Sequence, residues 1–275
     1  MIWNEEDRDM IYRQIQELLD CPCQVIRRET DHRRLVDVYL EERERGKREG
    51  YVPVFVYPDE RLNENVADYL TAGIGGKTAS DTLKAARQRL LANVPWNIFG
   101  LLRRYADALK EFEGMELPEG MGVPEGVELP EGMELPEDRA ATEELSEAPG
   151  SSEEGDDFAE GIMGTGKRAD ALLARIPASE PWQVLAWLPM GGWNECPMPV
   201  DMLAVSKYWY SIYGAVPAVV GSDTLQYYVD QPVEDRGQAE KLAGEHLSFC
   251  FESPENYRNS IEELRKSHVW YFWWD

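Results

Sequence analysis

Trp182–Asp230, WQVLAWLPMGGWNECPMPVDMLAVSKYWYSIYGAVPAVVGSDTLQYYVD, decides how this chain reads. Its pattern predicts a strand over Gln183–Leu188, a tight turn at Pro189-Met190-Gly191-Gly192 and a helix from Pro199 to Tyr213. A hairpin of Val216–Val220 and Leu225–Val229 follows, turning at Gly221-Ser222-Asp223. In the helix, Met202, Leu203, Val205, Ser206, Trp209 and Tyr210 fall on the inner faces. Seven of the nine Trp lie at or beyond Trp182, so most of the large apolar surface belongs to this end.

Downstream, the spacing predicts helices over 235–249 and 257–266 and a last strand, His268 to Trp274. A terminal strand this aromatic is expected to be buried in a sheet. Upstream, Met10, Ile11, Ile15, Leu18 and Leu19 repeat at helical spacing and Cys21-Pro22-Cys23 stops the helix. Cys23–Ile26 reads as a short strand, and a helix capped by Asp31 follows, ending near Gly46 or Gly50. Tyr51–Tyr57, YVPVFVY, is a strand, and Pro53 within it points to an edge or a strand start. Helices are predicted over 60–70, over 80–93 with Ser80 as N-cap, over 96–112 after Pro95, and as a short piece from Arg168 to Arg175.

Between these halves the composition changes. GMELPE, GMGVPE, GVELPE and GMELPE occupy Gly114–Glu137 as four tandem hexads. A Pro in every sixth position forbids a continuous helix, and Gly and Glu favour a solvated chain. A β-helix of hexads is the sharper alternative, but four are too few turns and too poor in apolar residues. An acidic, Ser- and Gly-rich run extends the linker to Glu160. A flexible coil of about 50 residues spans roughly 40 Å end to end.

Of the formal net charge of −24, −17 lies in Glu111–Glu160, which holds 18 acids and only Arg139 as a base. Residues 1–110 are nearly balanced, with 18 bases and 19 acids, and residues 161–275 carry 9 bases and 15 acids. No cluster of Lys and Arg is set against phosphate, which argues against nucleic-acid binding. No apolar run reaches the roughly 20 residues of a membrane span, and Met1–Tyr12 lacks the basic and apolar regions of a secretory leader. Four Cys in a chain this long do not make a disulfide framework. A cytoplasmic location, with no membrane contact, is the expectation.

Several unusual words occur in a fixed order: LAWLPMGGWNECP at Leu185–Pro197, KYWYSIYGAVPAVVGSDTLQYYV at Lys207–Val229, EHLSFC at Glu245–Cys250 and FWWD at Phe272–Asp275. Together they resemble the bacterial family called domain of unknown function 4253, over about residues 182–275. A weaker echo runs through residues 25–64, around GYVPVFVYPDERL at Gly50–Leu62. The resemblance implies a mixed α+β fold and no particular chemistry.

Among candidate groups, Trp193-Asn194-Glu195-Cys196 lies on a loop after a predicted strand end, a common place for binding residues. There Trp193 can stack a ligand while Asn194 and Glu195 supply polar contacts. The structural alternative is a turn in which Asn194 bonds backbone and Trp193 fills the core. His246 and Cys250 are four apart on one helix and so adjacent. A Cys–His pair can act as nucleophile and base, but that needs an exposed thiol and a third, orienting group. The same pair with Cys21, Cys23 or Cys196 matches no structural-zinc spacing, so no metal or other cofactor is assigned. Gly-Lys-Thr at 76–78 and Gly161 to Arg168 each lack a part of a phosphate loop and its preceding strand. Asp223, Glu245 and Asp275 are carboxylates whose separation the sequence leaves open, and no catalytic set is assigned.

The expected architecture is α+β, a mixed sheet with flanking helices interrupted by a long disordered acidic linker. It divides into a helix-rich segment over 1–110, a low-complexity linker over 111–180 and a C-terminal α+β domain over 181–275. The two folded parts are either separate or share one sheet with the linker as an insertion. The expected function is a protein-binding module of immunity type or regulatory kind. The alternative is a small-molecule-binding protein or enzyme with its site around Trp193–Cys196, Asp223 and His246. Deleting residues 114–160 is expected to leave the melting temperature within a few degrees of the full chain. A collapsed melting transition in that deletion would show that the hexads contribute to the folded core.

Overall fold

The computed structural model describes residues 5–27, 32–71, 79–95, 98, 100–103, 170–250 and 260–274. The hexads, Asp31, Asp275, both glycine–lysine stretches and most of the helix expected over 96–112 lie outside them. The elements are α1 (Glu5–Leu19), β1 (Cys23–Ile26), α2 (His32–Glu49), β2 (Val52–Val56), α3 (Glu60–Thr71) and α4 (Ala79–Ala92). They continue with β3 (Ala171–Ile176), a 3-10 helix (Pro181–Ala186), α5 (Pro199–Tyr213), β4 (Val216–Val220), β5 (Thr224–Tyr228), α6 (Arg236–Phe249) and β6 (Val269–Trp273). Ile98, 100–103 and 260–264 are also helical.

All six strands form one mixed sheet in the order β1-β3-β2-β4-β5-β6. The fold is α+β, as its sequence predicts. Every neighbouring pair is antiparallel except β2 and β4, which run parallel over Phe55–Val219 and Val56–Val220. Strands from both sides of residues 104–169 therefore lie in the same sheet. On one face, Leu35, Val36 and Tyr39 of α2 pack on Phe55, Leu173 and Val219. The larger core lies on the other face, where α1, α3, α4, α5 and α6 meet the sheet through residues such as Ile15, Leu62, Leu83, Leu203 and Leu242.

Several local expectations are corrected by this packing. Arg168–Arg175 was expected to be helical, but Ala171–Ile176 is a strand between β1 and β2 with five of its six residues buried. Ala and Leu favour helices, yet a continuous apolar run also suits a strand covered on both faces, and tertiary context decides. Gln183–Leu188, read as a strand, holds the end of the 3-10 helix that Pro181 starts, with Trp182, Val184, Leu185 and Ala186 buried. β2 is interior. Pro53 is tolerated because it sits near the strand start, before the pairing with β4 begins at Phe55. Ser80 does not cap α4 but lies inside it, its hydroxyl donating to Asp20 Oδ2 at 2.8 Å. β6 is an edge strand, so its aromatics divide: Trp270, Phe272 and Trp274 are buried, whereas Tyr271 and Trp273 are about half exposed.

Trp209 of α5 is fully buried at the centre of that aromatic group. Its ring stacks on Phe272 at 5.4 Å and meets Tyr227, Phe249 and Trp270 edge-on at 5.5, 5.1 and 5.6 Å. Edge-to-face and offset pairs of this kind add about 0.5–1.5 kcal/mol each beyond the area they bury. Among the described residues, no helix is long and apolar enough to cross a membrane.

Candidate functional site

The turn after the 3-10 helix is built by glycine. Gly191 and Gly192 adopt φ of 100° and 84°, which L side chains rarely adopt. A Cβ on Gly192 would also press on the Tyr69 hydroxyl at 2.9 Å, so the loop can lie directly on α3. Gly192 N–H donates to the carbonyls of Cys196 and Pro197, and Cys196 N–H donates to Trp193 O at 2.8 Å. The tight loop this makes carries Trp193 to the mouth of a cavity.

That cavity holds about 550 Å³ and is open to solvent. Asn65, Asp68 and Tyr69 of α3 form one wall, and Ala86, Arg89 and Leu90 of α4, with Asn93, form the second. The third is Gly191, Gly192, Trp193 and Val200. Two of the lining residues, Asn65 and Trp193, each hold a buried donor, Nδ2 and Nε1, that has no hydrogen-bond partner within the protein. A buried donor left unpaired costs about 1–3 kcal/mol. Buried polar atoms elsewhere also lack partners, Trp270 Nε1 and Trp274 Nε1 among them, but none of those lines this cavity.

The other sequence-derived residues do not gather there. Asn194 is exposed with φ of 44°, a conformation Asn tolerates in turns, and Glu195 is exposed beside it. Cys196 is buried under the loop, and burial pushes its thiol up. Asp223 sits in the β4–β5 turn, where its carboxylate accepts from Thr224 Oγ1 at 2.9 Å and its carbonyl from Trp274 N–H. Nothing in the sequence marked Asn65, Asp68 or Arg89, because the wall they form depends on how α3 and α4 pack against the glycine turn.

His246 belongs to the aromatic core. Its ring lies 4.9 Å from Trp209, 4.9 Å from Trp270 and 4.8 Å from Phe272, and its Nε2 is buried without a partner. Burial lowers its pKa to about 3, so it is neutral at physiological pH. With Cys250 it lines a cavity of only about 40 Å³. Cys250 Sγ donates to Trp273 O at 3.0 Å, so its proton is held by the backbone. The adjacent Glu245 is also buried and accepts from Tyr208 OH at 2.8 Å and Trp209 Nε1 at 2.9 Å. Burial raises its pKa despite those bonds. It ties α6 to α5. Among the described residues, no group of three or more His, Cys, Asp or Glu is placed to hold a metal ion.

Residues 172–275 match the family model described as Domain of unknown function (DUF4253), which covers β3 to the end of the chain. No curated protein and no solved structure matches the chain.

The burial of His246 makes stability depend on pH with a definite sign. Its folded pKa of about 3 lies below the ordinary 6.5. The unfolded chain therefore takes up a proton that the folded chain refuses, and stability falls as pH drops from 6.5 toward 3. Glu245 acts in the opposite sense, because its folded pKa is raised and the folded chain holds its proton more firmly. A His246→Phe variant isolates the first effect. Between pH 7.5 and pH 5 the parent chain should lose about 2 kcal/mol more than the variant in denaturant unfolding. Equal losses would mean that the imidazole is protonated in the folded protein.

Proposed function

We propose that this chain binds a small polar molecule in the cavity between α3, α4 and the Gly191–Trp193 turn. The observation that supports this is one open cavity whose lining includes Asn65 and Trp193, each with a buried donor that has no partner within the protein. N–H groups ask for acceptor oxygens, and with both Arg89 and Asp68 on the lining a neutral, carbonyl- or hydroxyl-bearing ligand fits better than a strongly charged one. Trp193 also offers its ring as a stacking face. The reading is one of binding rather than catalysis, because His246 packs among the aromatic rings of the core, Asp223 sits in the β4–β5 turn and Cys250 is buried beside a cavity of about 40 Å³. A cytoplasmic metabolite is the ligand this reading implies.

A second reading, a protein-binding module, draws on a different feature. β6 is the sheet edge beyond β5, and its sequence, VWYFW, has no Pro or charge to discourage a further strand. Tyr271 and Trp273 are 44% and 48% exposed there. The acidic excess of residues 161–275 favours a basic protein partner that adds an extended segment to this edge.

Two experiments separate the readings. A thermal-shift screen of small carboxylates, sugars and nucleobases should find a ligand whose affinity falls about tenfold in Trp193→Phe, the loss of one hydrogen bond worth about 1.4 kcal/mol. No ligand, or one indifferent to both Trp193→Phe and Asn65→Ala, would end the small-molecule reading. A tagged chain drawn from host lysate should retain a stoichiometric basic partner that Trp273→Lys loses if the edge reading holds. Retention by both chains would end that one.

A further inference from the structure

The four cysteines fall into two kinds. Cys196 and Cys250 are buried, whereas Cys21 and Cys23 are partly exposed, with exposed Pro22 and Gln24 beside them. The second pair is held close by the local fold. α1 ends at Leu19, and Asp20 turns the chain with φ of 48°. Pro22 O then accepts from Arg175 N–H at 2.9 Å, which fixes the turn against β3 as β1 begins. Cys23 Sγ donates to Cys21 O at 3.3 Å, which points its side chain back toward its neighbour. Residues two apart in sequence are separated by at most roughly 7 Å, close to the roughly 4.4–6.8 Å that disulfides span between Cα atoms.

We propose that Cys21 and Cys23 form a redox-active dithiol that exchanges with low-molecular-weight disulfides. In the first step Cys23 releases to solvent the proton it holds against Cys21 O, and the thiolate attacks one sulfur of a disulfide RSSR. The S–S bond of RSSR breaks, a Cys23–S–S–R bond forms, and RS⁻ leaves and takes a proton from solvent. In the second, Cys21 releases its proton and attacks the Cys23 sulfur, expelling the second RS⁻, which is protonated in turn. Two protein thiols are oxidised to one disulfide while RSSR is reduced to two RSH, a balanced two-electron exchange.

The division of labour follows from the surroundings. The neighbouring side chain raises Cys21, further raised by burial, and lowers Cys23 against the effect of that residue's own burial. The guanidinium of Arg175 on β3 also favours the Cys23 thiolate. Arg87 of α4, whose Nη2 donates to Leu18 O and Leu19 O at 2.6 and 2.9 Å, opposes the rise of Cys21 without reversing it. A nucleophilic thiolate beside a proton-retaining thiol is the arrangement that exchange requires.

The test uses the full chain and glutathione disulfide. After equilibration, intact mass should show the loss of two hydrogens, and peptide mapping should place the bond between Cys21 and Cys23. In Cys21→Ser the exchange should stop at a glutathione adduct on Cys23. Before oxidation, Cys23 should react with iodoacetamide at least about tenfold faster than Cys196 and Cys250 in the folded protein. Both thiols staying fully alkylatable in excess glutathione disulfide would overturn the proposal, as would oxidation confined to Cys196 and Cys250. The parent chain alone decides between these outcomes, so the test holds even if the serine variant does not fold. The outcome is also independent of whether the α3–α4 cavity binds a ligand.

Discussion

The fold depends on β3 pairing on both edges. Ala171–Ile176 is antiparallel to β1 through four residue pairs and to β2 through five. β1 and β2 are consecutive strands in the chain, yet they never touch, because β3 fills the place between them. β1 and β2 come from the chain before residue 104 and β3 from the chain after residue 169, so the later segment inserts a strand between the earlier two. What β3 must supply is register, and Arg175 supplies part of it. Its Nε and Nη2 grip the two oxygens of Glu42 on α2 at 2.7 and 2.9 Å, while Tyr51 OH donates to the same carboxylate at 2.8 Å. That grip holds Glu42 below the usual carboxylate range, and it crosses 133 residues of sequence to lock α2 over the sheet.

The same seam makes the candidate site. α3 and α4 belong to the chain before residue 104, and Gly191–Trp193 and Val200 to the chain after residue 169. Neither set forms a cavity without the other. The family match begins at Leu172, inside β3, so its span holds neither of β3's partners. Residues 172–275 alone would keep the β4-β5-β6 meander and leave β3 with two bare edges. The earlier chain thus completes both the sheet and the cavity.

Much of the fold was legible because period and punctuation agree. Pro199 at the start and Gly214 at φ of 67° at the end bound α5 unambiguously, and Gly221-Ser222-Asp223 marks the β4–β5 hairpin. β3 was not legible. Ala-Leu-Leu-Ala-Arg-Ile carries helix propensity, and only burial on both faces makes it a strand. The site divides the same way. Trp193 stood out because it lies on a loop after a predicted strand end, although that segment is a 3-10 helix, while Asn65 and Arg89 are ordinary polar residues on amphipathic helices. Their importance comes from which helix faces meet, which no local pattern records. Asp223 and His246 had suggestive chemistry in the sequence and structural roles in the fold.

His246 and Trp193 show why an unpaired buried nitrogen does not mean one thing. Both leave a ring nitrogen buried without a partner. Around His246 three aromatic rings lie within 5 Å and the neighbouring cavity is about 40 Å³, hardly room for more than a water molecule. The imidazole there is held neutral by its surroundings, and the cost of the idle nitrogen is offset by packing. Around Trp193 the cavity is more than ten times larger and open, and Asn65 and Arg89 share its lining. The Trp193 nitrogen is itself buried while its residue lines that open volume. That difference in surroundings, and not the missing hydrogen bond itself, separates the core position of His246 from the cavity-lining position of Trp193.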